Sequence, residues 1–300
     1  MKIKLIVLFV VSLLMSAQIV DAKSKVFLRF NLQKGSNYEM TMAMTNNVDQ
    51  EMMGHPFKMD QKMEMVFLYN VLDVLPNKNY LVEYSLQGMK LDMNINDQVV
   101  HMDSKDTAQS NPMNASIKGF LAAKLKLELN SKGGVERVEG MEEYTKNLSQ
   151  NPQMAQSMRM FSDEKSFKSF ISQSFYYFPE KEVEEGDKWT SSFELPGMMN
   201  METTMNFEVA TIEKDQVILN VSSDVNIDSP VEQQGIKIDM KMTGTQTGSM
   251  TIDRSDGWLR TSDLTQKFDM HMKMKNPQSG EEMEIPMLMN SVAKVTVVKN

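Results

Sequence analysis

The chain has 300 residues, a formal net charge of −8 at pH 7 and no cysteine. The lack of cysteine excludes disulfides, thiol redox chemistry and thiolate metal sites. An acidic chain with scattered charges also lacks the basic surface that nucleic acid requires, so nucleic acid is excluded as a partner.

Residues 1–22 have the features of a Sec-type signal peptide. Lys2 and Lys4 give a basic start, the stretch 3–15 is largely apolar, and Val20-Asp21-Ala22 resembles a small-residue cleavage site. A retained anchor is the alternative, but the apolar run is short for a membrane span. We therefore expect an exported protein, periplasmic or extracellular, with no transmembrane anchor after cleavage.

Residues 23–138 are predicted to form a first antiparallel β unit. Apolar residues, many of them methionine, alternate with polar ones over 39–45 and again over 58–67. This period of two is typical of a strand with one buried face. Lys132-Gly133-Gly134 predicts a tight turn near the end of the unit.

Residues 139–177 lack this alternation and are predicted to form a helical insert. Asn151-Pro152 and Ser162-Asp163-Glu164 are typical helix starts. Phenylalanine and isoleucine then recur at helical spacing, which predicts a helix face packed on a sheet, at Phe167, Phe170, Ile171 and Phe175.

Residues 178–300 are predicted to form a second antiparallel β unit, since alternation resumes after Phe178-Pro179. In the stretch FDMHMKMK, residues 268–275, every second residue is Phe or Met and the others are charged or His. The two blocks resemble a weak duplication. The predicted fold is therefore mainly β: two related antiparallel sheet units, half-barrel-like, with a helical insert between them.

Two short motifs resemble a known family. The pattern L-x-K-G-x-x-Y occupies 32–38, and F-P-x-x-x-V-x-x-G-D-x-W occupies 178–189. Together they resemble an uncharacterised family of exported Bacteroidota proteins, a domain of unknown function rich in antiparallel β. The resemblance implies an envelope location and no established activity. Physically, Gly186 suits a turn with positive φ, and Trp189 suits anchoring of the next strand to the core.

No catalytic motif is present. The chain has three histidines and contains neither H-E-x-x-H, nor G-x-S-x-G, nor a glycine-rich phosphate loop. We expect no catalytic residues, no metal and no cofactor, and we predict a non-enzymatic protein. An unrecognised hydrolase remains the alternative, because paired acids can lie far apart in sequence.

The 31 methionines permit three hypotheses. They fill an ordinary core; they line a surface for a lipid or a hydrophobic peptide; or they bind Cu(I), with Met270-His271-Met272 as the candidate. In a regular strand His271 points to the opposite face, which argues against copper. The predicted lining of the ligand surface is Met63, Met65, Met240, Met242, Met270 and Met272.

Overall fold

The computed structural model describes residues 24–52, 55–106, 121, 123–142, 145–146, 163–195, 201–233, 236–275, 280 and 282–300. The predicted signal peptide and the Asn151-Pro152 helix start lie outside these residues. The labelled elements, in chain order, are β1 (Asn37–Met52), β2 (His55–Val74), β3 (Tyr80–Ile95), β4 (Gln98–Asp103), β5 (Lys124–Leu129), β6 (Val135–Glu139), α1 (Glu164–Gln173), β7 (Lys188–Leu195), β8 (Met201–Ile212), β9 (Gln216–Gln233), β10 (Ile236–Asp253), β11 (Leu259–Lys275) and β12 (Glu282–Lys299).

The strands of this described part form one antiparallel sheet. Its order is β6-β5-β3-β2-β1-β12-β11-β10-β9-β8-β7, and β4 pairs with β3 beside this path. The prediction of a mainly β, antiparallel chain is therefore confirmed. The first and last strands pair with each other, from Tyr38 opposite Lys299 to Gln50 opposite Met287, so the two halves share a single sheet. The division into two related units stays a prediction.

The sheet curls far enough for one short helix to contact both of its edges. In a flat sheet, ten strand spacings of ~4.8 Å would separate β6 from β7 by about 48 Å. The ten-residue α1 is only about 15 Å long, yet it contacts both β6 and β7. The helix therefore lies where the curled edges approach each other.

The helix begins where its sequence predicts. Asp163 is the N-cap, and its carboxylate accepts a hydrogen bond of 2.9 Å from the backbone N–H of Ser166. Phe167, Ile171 and Phe175 are each no more than 1% exposed, which confirms the predicted packing face. No helix in the part of the chain that the structure describes is long and apolar enough to cross a membrane.

An aromatic core fills one end of the curled sheet, where β1 begins and β12 ends; we call this the proximal end. Trp258 lies between Tyr38 and Phe30, with ring centroids 4.1 Å and 5.1 Å away. Tyr69 and Phe175 meet the same indole edge-on. Because these rings come from both halves of the chain, the proximal end is a shared core.

The two motif segments pack beside this core. Val26, in the segment leading to the first motif, forms a β-bridge with Val183 of the second. Gly186 has φ +89°, as its turn requires. Trp189 stacks on Phe207 with a centroid distance of 5.5 Å and packs against the core, so its predicted anchoring position is confirmed.

Candidate functional site

Strand methionines share one face of the sheet. Directly opposite residues in an antiparallel pair lie on the same face, and methionines repeatedly oppose each other or another apolar residue in the register. We call this the inner face, because it continues into the aromatic core. Its described methionines are Met40, Met42, Met44, Met59, Met63, Met65, Met89, Met93, Met102, Met205, Met240, Met242, Met250, Met270, Met272, Met274, Met283, Met287 and Met289.

The outer face carries the charges. Lys241 pairs with Asp228 at 3.0 Å and Lys294 with Asp263 at 2.8 Å, and all four side chains are exposed. His271 also lies on this face, 3.2 Å from Asp269. The structure therefore separates His271 from Met270 and Met272, and the Met-His-Met stretch does not form one metal site.

A band of uncharged polar residues crosses the inner face at mid-height. Each member is directly opposite the next in the sheet register, over β2, β1, β12, β11, β10 and β9. We call this band the polar belt. Its members, in that order, are Gln61, Asn46, Ser291, Gln266, Gln246 and Ser223.

Hydrogen bonds join the polar belt into two groups. Asn46 donates to Gln61 at 3.0 Å and accepts from the hydroxyl of Ser291 at 2.6 Å. In the second group, Gln266 donates to the carbonyl oxygen of Gln246 at 2.9 Å. Each amide side chain has two donor hydrogens and two acceptor lone pairs, so these bonds use only part of its capacity.

The belt lies within a largely water-excluded surface. Ser223, Ser291 and Gln246 are 0%, 3% and 8% exposed, while Asn46, Gln61 and Gln266 are half-buried. A polar group buried without a partner costs about 1–3 kcal/mol. The unused hydrogen-bond donors and acceptors of the belt are therefore available to bind a polar group of a ligand that reaches the belt.

Beyond the belt, away from the aromatic core, lies a dense group of thioethers; we call that end of the sheet distal. Met242 is opposite Met270, Met270 is opposite Met287, and Met240 is opposite Met272. Met240 and Met242 are 3% and 7% exposed, while the other three are half-buried. We call these five residues the methionine patch.

The structure thus divides the six predicted ligand-site residues into two groups. Met240, Met242, Met270 and Met272 belong to the patch. Met63 and Met65 lie on the proximal side of the belt, and Met65 packs against the aromatic core. The row containing Met63 is six residues from the row of Met270, or about 20 Å along the strands. The first four residues form one surface, and the other two do not contribute to it.

A groove of about 420 Å³ lies at the distal end of β1, β2, β11 and β12, lined mainly by outer-face residues. Its lining includes Asp49, Lys58, Asp269 and Leu288, which alternate with the inner-face positions of their strands. Gln50, Phe57 and Met287 of the inner face also line the groove, so it adjoins the methionine patch at Met287. Within the described ranges, no group of three or more His, Asp or Glu side chains is arranged to hold a metal ion.

One family model matches the chain: the family of unknown function DUF6263, over residues 77–259. The chain belongs to the DUF6263 family. The match runs from the turn before β3 to the first residue of β11 and includes part of the belt and patch, namely Ser223, Met240, Met242 and Gln246. No curated protein matches the sequence.

Solved structures resemble this DUF6263 protein only remotely. OccK5 (OpdH) of Pseudomonas aeruginosa is 6% identical over 89% of this chain and 98% of its own, with a TM-score of 0.22. An outer membrane channel of Pseudomonas putida F1 is 8% identical over 90% and 97%, with a TM-score of 0.21. The translocator domain of the autotransporter NalP of Neisseria meningitidis is 6% identical over 89% of both chains, with a TM-score of 0.18. TM-scores this low do not define a shared fold.

The polar belt is the part of this candidate site that sequence reasoning missed. Its local signal is the replacement of Met or another apolar residue by Asn, Gln or Ser at an inward position, as at Asn46 after Met44 and Gln61 before Met63. Each replacement alone is an ordinary polar residue in a strand. Only the register places them in one row.

Proposed function

We propose that the protein is a non-enzymatic, exported component of the cell envelope that binds a hydrophobic ligand on the methionine patch. The ligand is a lipid or an apolar peptide. Export is inferred from the signal-peptide features of residues 1–22. Binding is inferred from the patch, which is built from the most adaptable of the apolar side chains.

The observation that carries the proposal is the partial exposure of inward-facing methionines at the distal end. Met270 and Met272 are half-buried, as are Met44 and Met63 next to the belt, whereas the same face of the sheet forms a closed core at the proximal end. If this surface served only as packed core, its strands would favour Val, Ile and other residues of high β propensity. Flexible thioethers beside buried Met240 and Met242 instead suit an apolar partner of variable shape.

Native mass spectrometry of the full chain, purified from the envelope of a producing bacterium, tests the proposal. We expect an intact mass that lacks residues 1–22, together with a bound apolar molecule. The double variant Met270→Gln/Met272→Gln should lose the bound mass. The matched control, His271→Gln/Lys273→Gln, changes the outer face of the same strand and should keep it. Repeated apo spectra of the wild-type protein would contradict ligand binding.

A second candidate function is binding of Cu(I). The observation in its favour is the row Met242, Met270 and Met287 on adjacent strands, with Met240 and Met272 in the next row. Soft thioethers favour Cu(I), and this arrangement needs no histidine. Titration with Cu(I) against a competing chelator should then give a defined stoichiometry that Met270→Leu lowers. A titration without saturation rejects this candidate.

A further inference from the structure

The inner face of β9, β10, β11 and β12 is free of charge beyond the belt. Among the described inner-face positions of these four strands, from the polar belt to the distal end, no side chain is Asp, Glu, Lys, Arg or His; His55 lies on the same face but at the start of β2, two strands away from β12. Charged residues of these strands, such as Lys241, Lys273 and Glu284, lie on the outer face. Since an ion buried without a partner is strongly disfavoured, an anionic or cationic head group has no favourable place on this surface.

The belt nevertheless offers hydrogen bonds. Its two groups meet where Ser291 is directly opposite Gln266, so hydroxyl and amide groups face a ligand at that point. These groups both donate and accept hydrogen bonds. They match an ester, an amide or a hydroxyl.

The distal surface is long enough for one acyl chain. From Gln246 to Ile238 on β10 there are eight residue steps, or about 27 Å. A bilayer has a hydrocarbon core of about 30 Å, so one extended acyl chain spans about 15 Å. The proximal direction is closed, because Met42, Met65 and Met250 pack against the aromatic core.

We infer that the ligand is an uncharged acyl lipid, whose chain lies along the methionine patch and whose ester, amide or hydroxyl group binds the polar belt between Ser291 and Gln266. This inference rests on the proposed function, since it assigns the class and orientation of the ligand at the same site. The site selects a lipid by the position of its polar group: this group must bind the belt while the acyl chain lies over the methionine patch.

Displacement of the fluorescent dye N-phenylnaphthylamine from the full chain tests this assignment. Three competitors share one chain length: monopalmitoylglycerol, palmitate and hexadecane. We expect monopalmitoylglycerol to compete at least about tenfold better than palmitate, because the carboxylate finds no cation. The variant Gln246→Met/Gln266→Met should weaken monopalmitoylglycerol about tenfold and leave hexadecane unchanged, since it removes hydrogen bonds at nearly constant volume.

The control variant is Thr247→Val/Thr265→Val, a directly opposite pair on the outer face of the same two strands. It should leave all three affinities unchanged. Ser291→Ala, which removes one oxygen, should weaken monopalmitoylglycerol alone and provides a second test should the double variant fold poorly.

The outcomes separate the two proposals. If all three competitors bind and the belt variants change none of them, the head group does not bind the belt, and this inference is wrong while ligand binding stands. Stronger binding of palmitate than of monopalmitoylglycerol would also overturn it. If native mass spectrometry detects no monopalmitoylglycerol bound to the full chain and the dye does not bind either, this inference fails together with the lipid form of the proposed function, and binding of an apolar peptide is judged by the mass spectra of the envelope-purified protein.

Discussion

The phenolic hydroxyl of Tyr38 donates a hydrogen bond of 2.9 Å to the carboxylate of Asp256, a residue 218 positions later in the chain. Lys299, near the end of β12, donates to the same carboxylate at 2.8 Å. Asp256 is 3% exposed and lies in the turn between β10 and β11. One buried carboxylate therefore joins the first strand, the last strand and the turn that presents Trp258.

The variant Asp256→Ala should lower the free energy of unfolding by about 2–3 kcal/mol, because it leaves the buried hydroxyl of Tyr38 and the backbone N–H of Trp258 without their acceptor. Urea denaturation followed by circular dichroism measures the change. The control is Asp263→Ala, which breaks an exposed ion pair with Lys294 and should cost under about 1 kcal/mol. Equal losses in the two variants would contradict a structural role for the buried carboxylate.

Thermal stability should fall at alkaline pH because of buried tyrosines. Burial raises the pKa of Tyr69, and burial with the neighbouring Asp256 raises the pKa of Tyr38 and Tyr177. A raised folded-state pKa gives stability that is fully present below the unfolded value of about 10 and is lost as pH rises above it.

Melting temperatures measured by circular dichroism across this range should therefore decline above about pH 10. The variant Tyr69→Phe should show a shallower decline, since it removes one of the responsible groups. The contrary result would be tyrosinate absorbance that rises with an ordinary tyrosine pKa of about 10 while the protein is still folded. It would show that these side chains are accessible to water.

Two glycines with positive φ should respond differently to alanine. Gly257 has φ +76°, and a Cβ there would lie 2.1 Å from the backbone oxygen of Arg29. Gly186 has φ +89° with nothing within 4 Å. Gly186→Ala should cost about 1–2 kcal/mol from backbone strain alone. Gly257→Ala should exceed this by several kcal/mol, because the Arg29 segment must move. Denaturant titration compares them, and equal costs would contradict the close approach.

Mild peroxide should oxidise the methionines in order of exposure. Met272 and Met274 are half-buried, whereas Met40 and Met240 are 2% and 3% exposed. Sulfoxide formation requires access to the sulfur. Peptide mass spectrometry after a short pulse should therefore find Met272 and Met274 modified before Met40. A ligand on the patch should slow the reaction at Met272 selectively, whereas uniform rates would contradict the exposed patch.

Local features of the fold were predictable from the sequence, whereas the candidate site was predictable only in part. The helix start at Asp163 and its buried face depend on spacings within a few residues, so the sequence shows them directly. The inward direction of Met270 and the outward direction of His271 follow from the same alternation. The separation of Met63 from Met270 does not, because it depends on which strands are neighbours.

The sequence by itself determined most of the strand segments and, within their regular stretches, which face each side chain takes, because alternation in a strand is a property of consecutive residues. Only the tertiary structure decided that β1 pairs with β12 and that Gln61, Asn46, Ser291, Gln266, Gln246 and Ser223 form one row across the sheet. Register between strands more than 200 residues apart is set by the packing of the whole sheet. No short stretch of the chain contains that information.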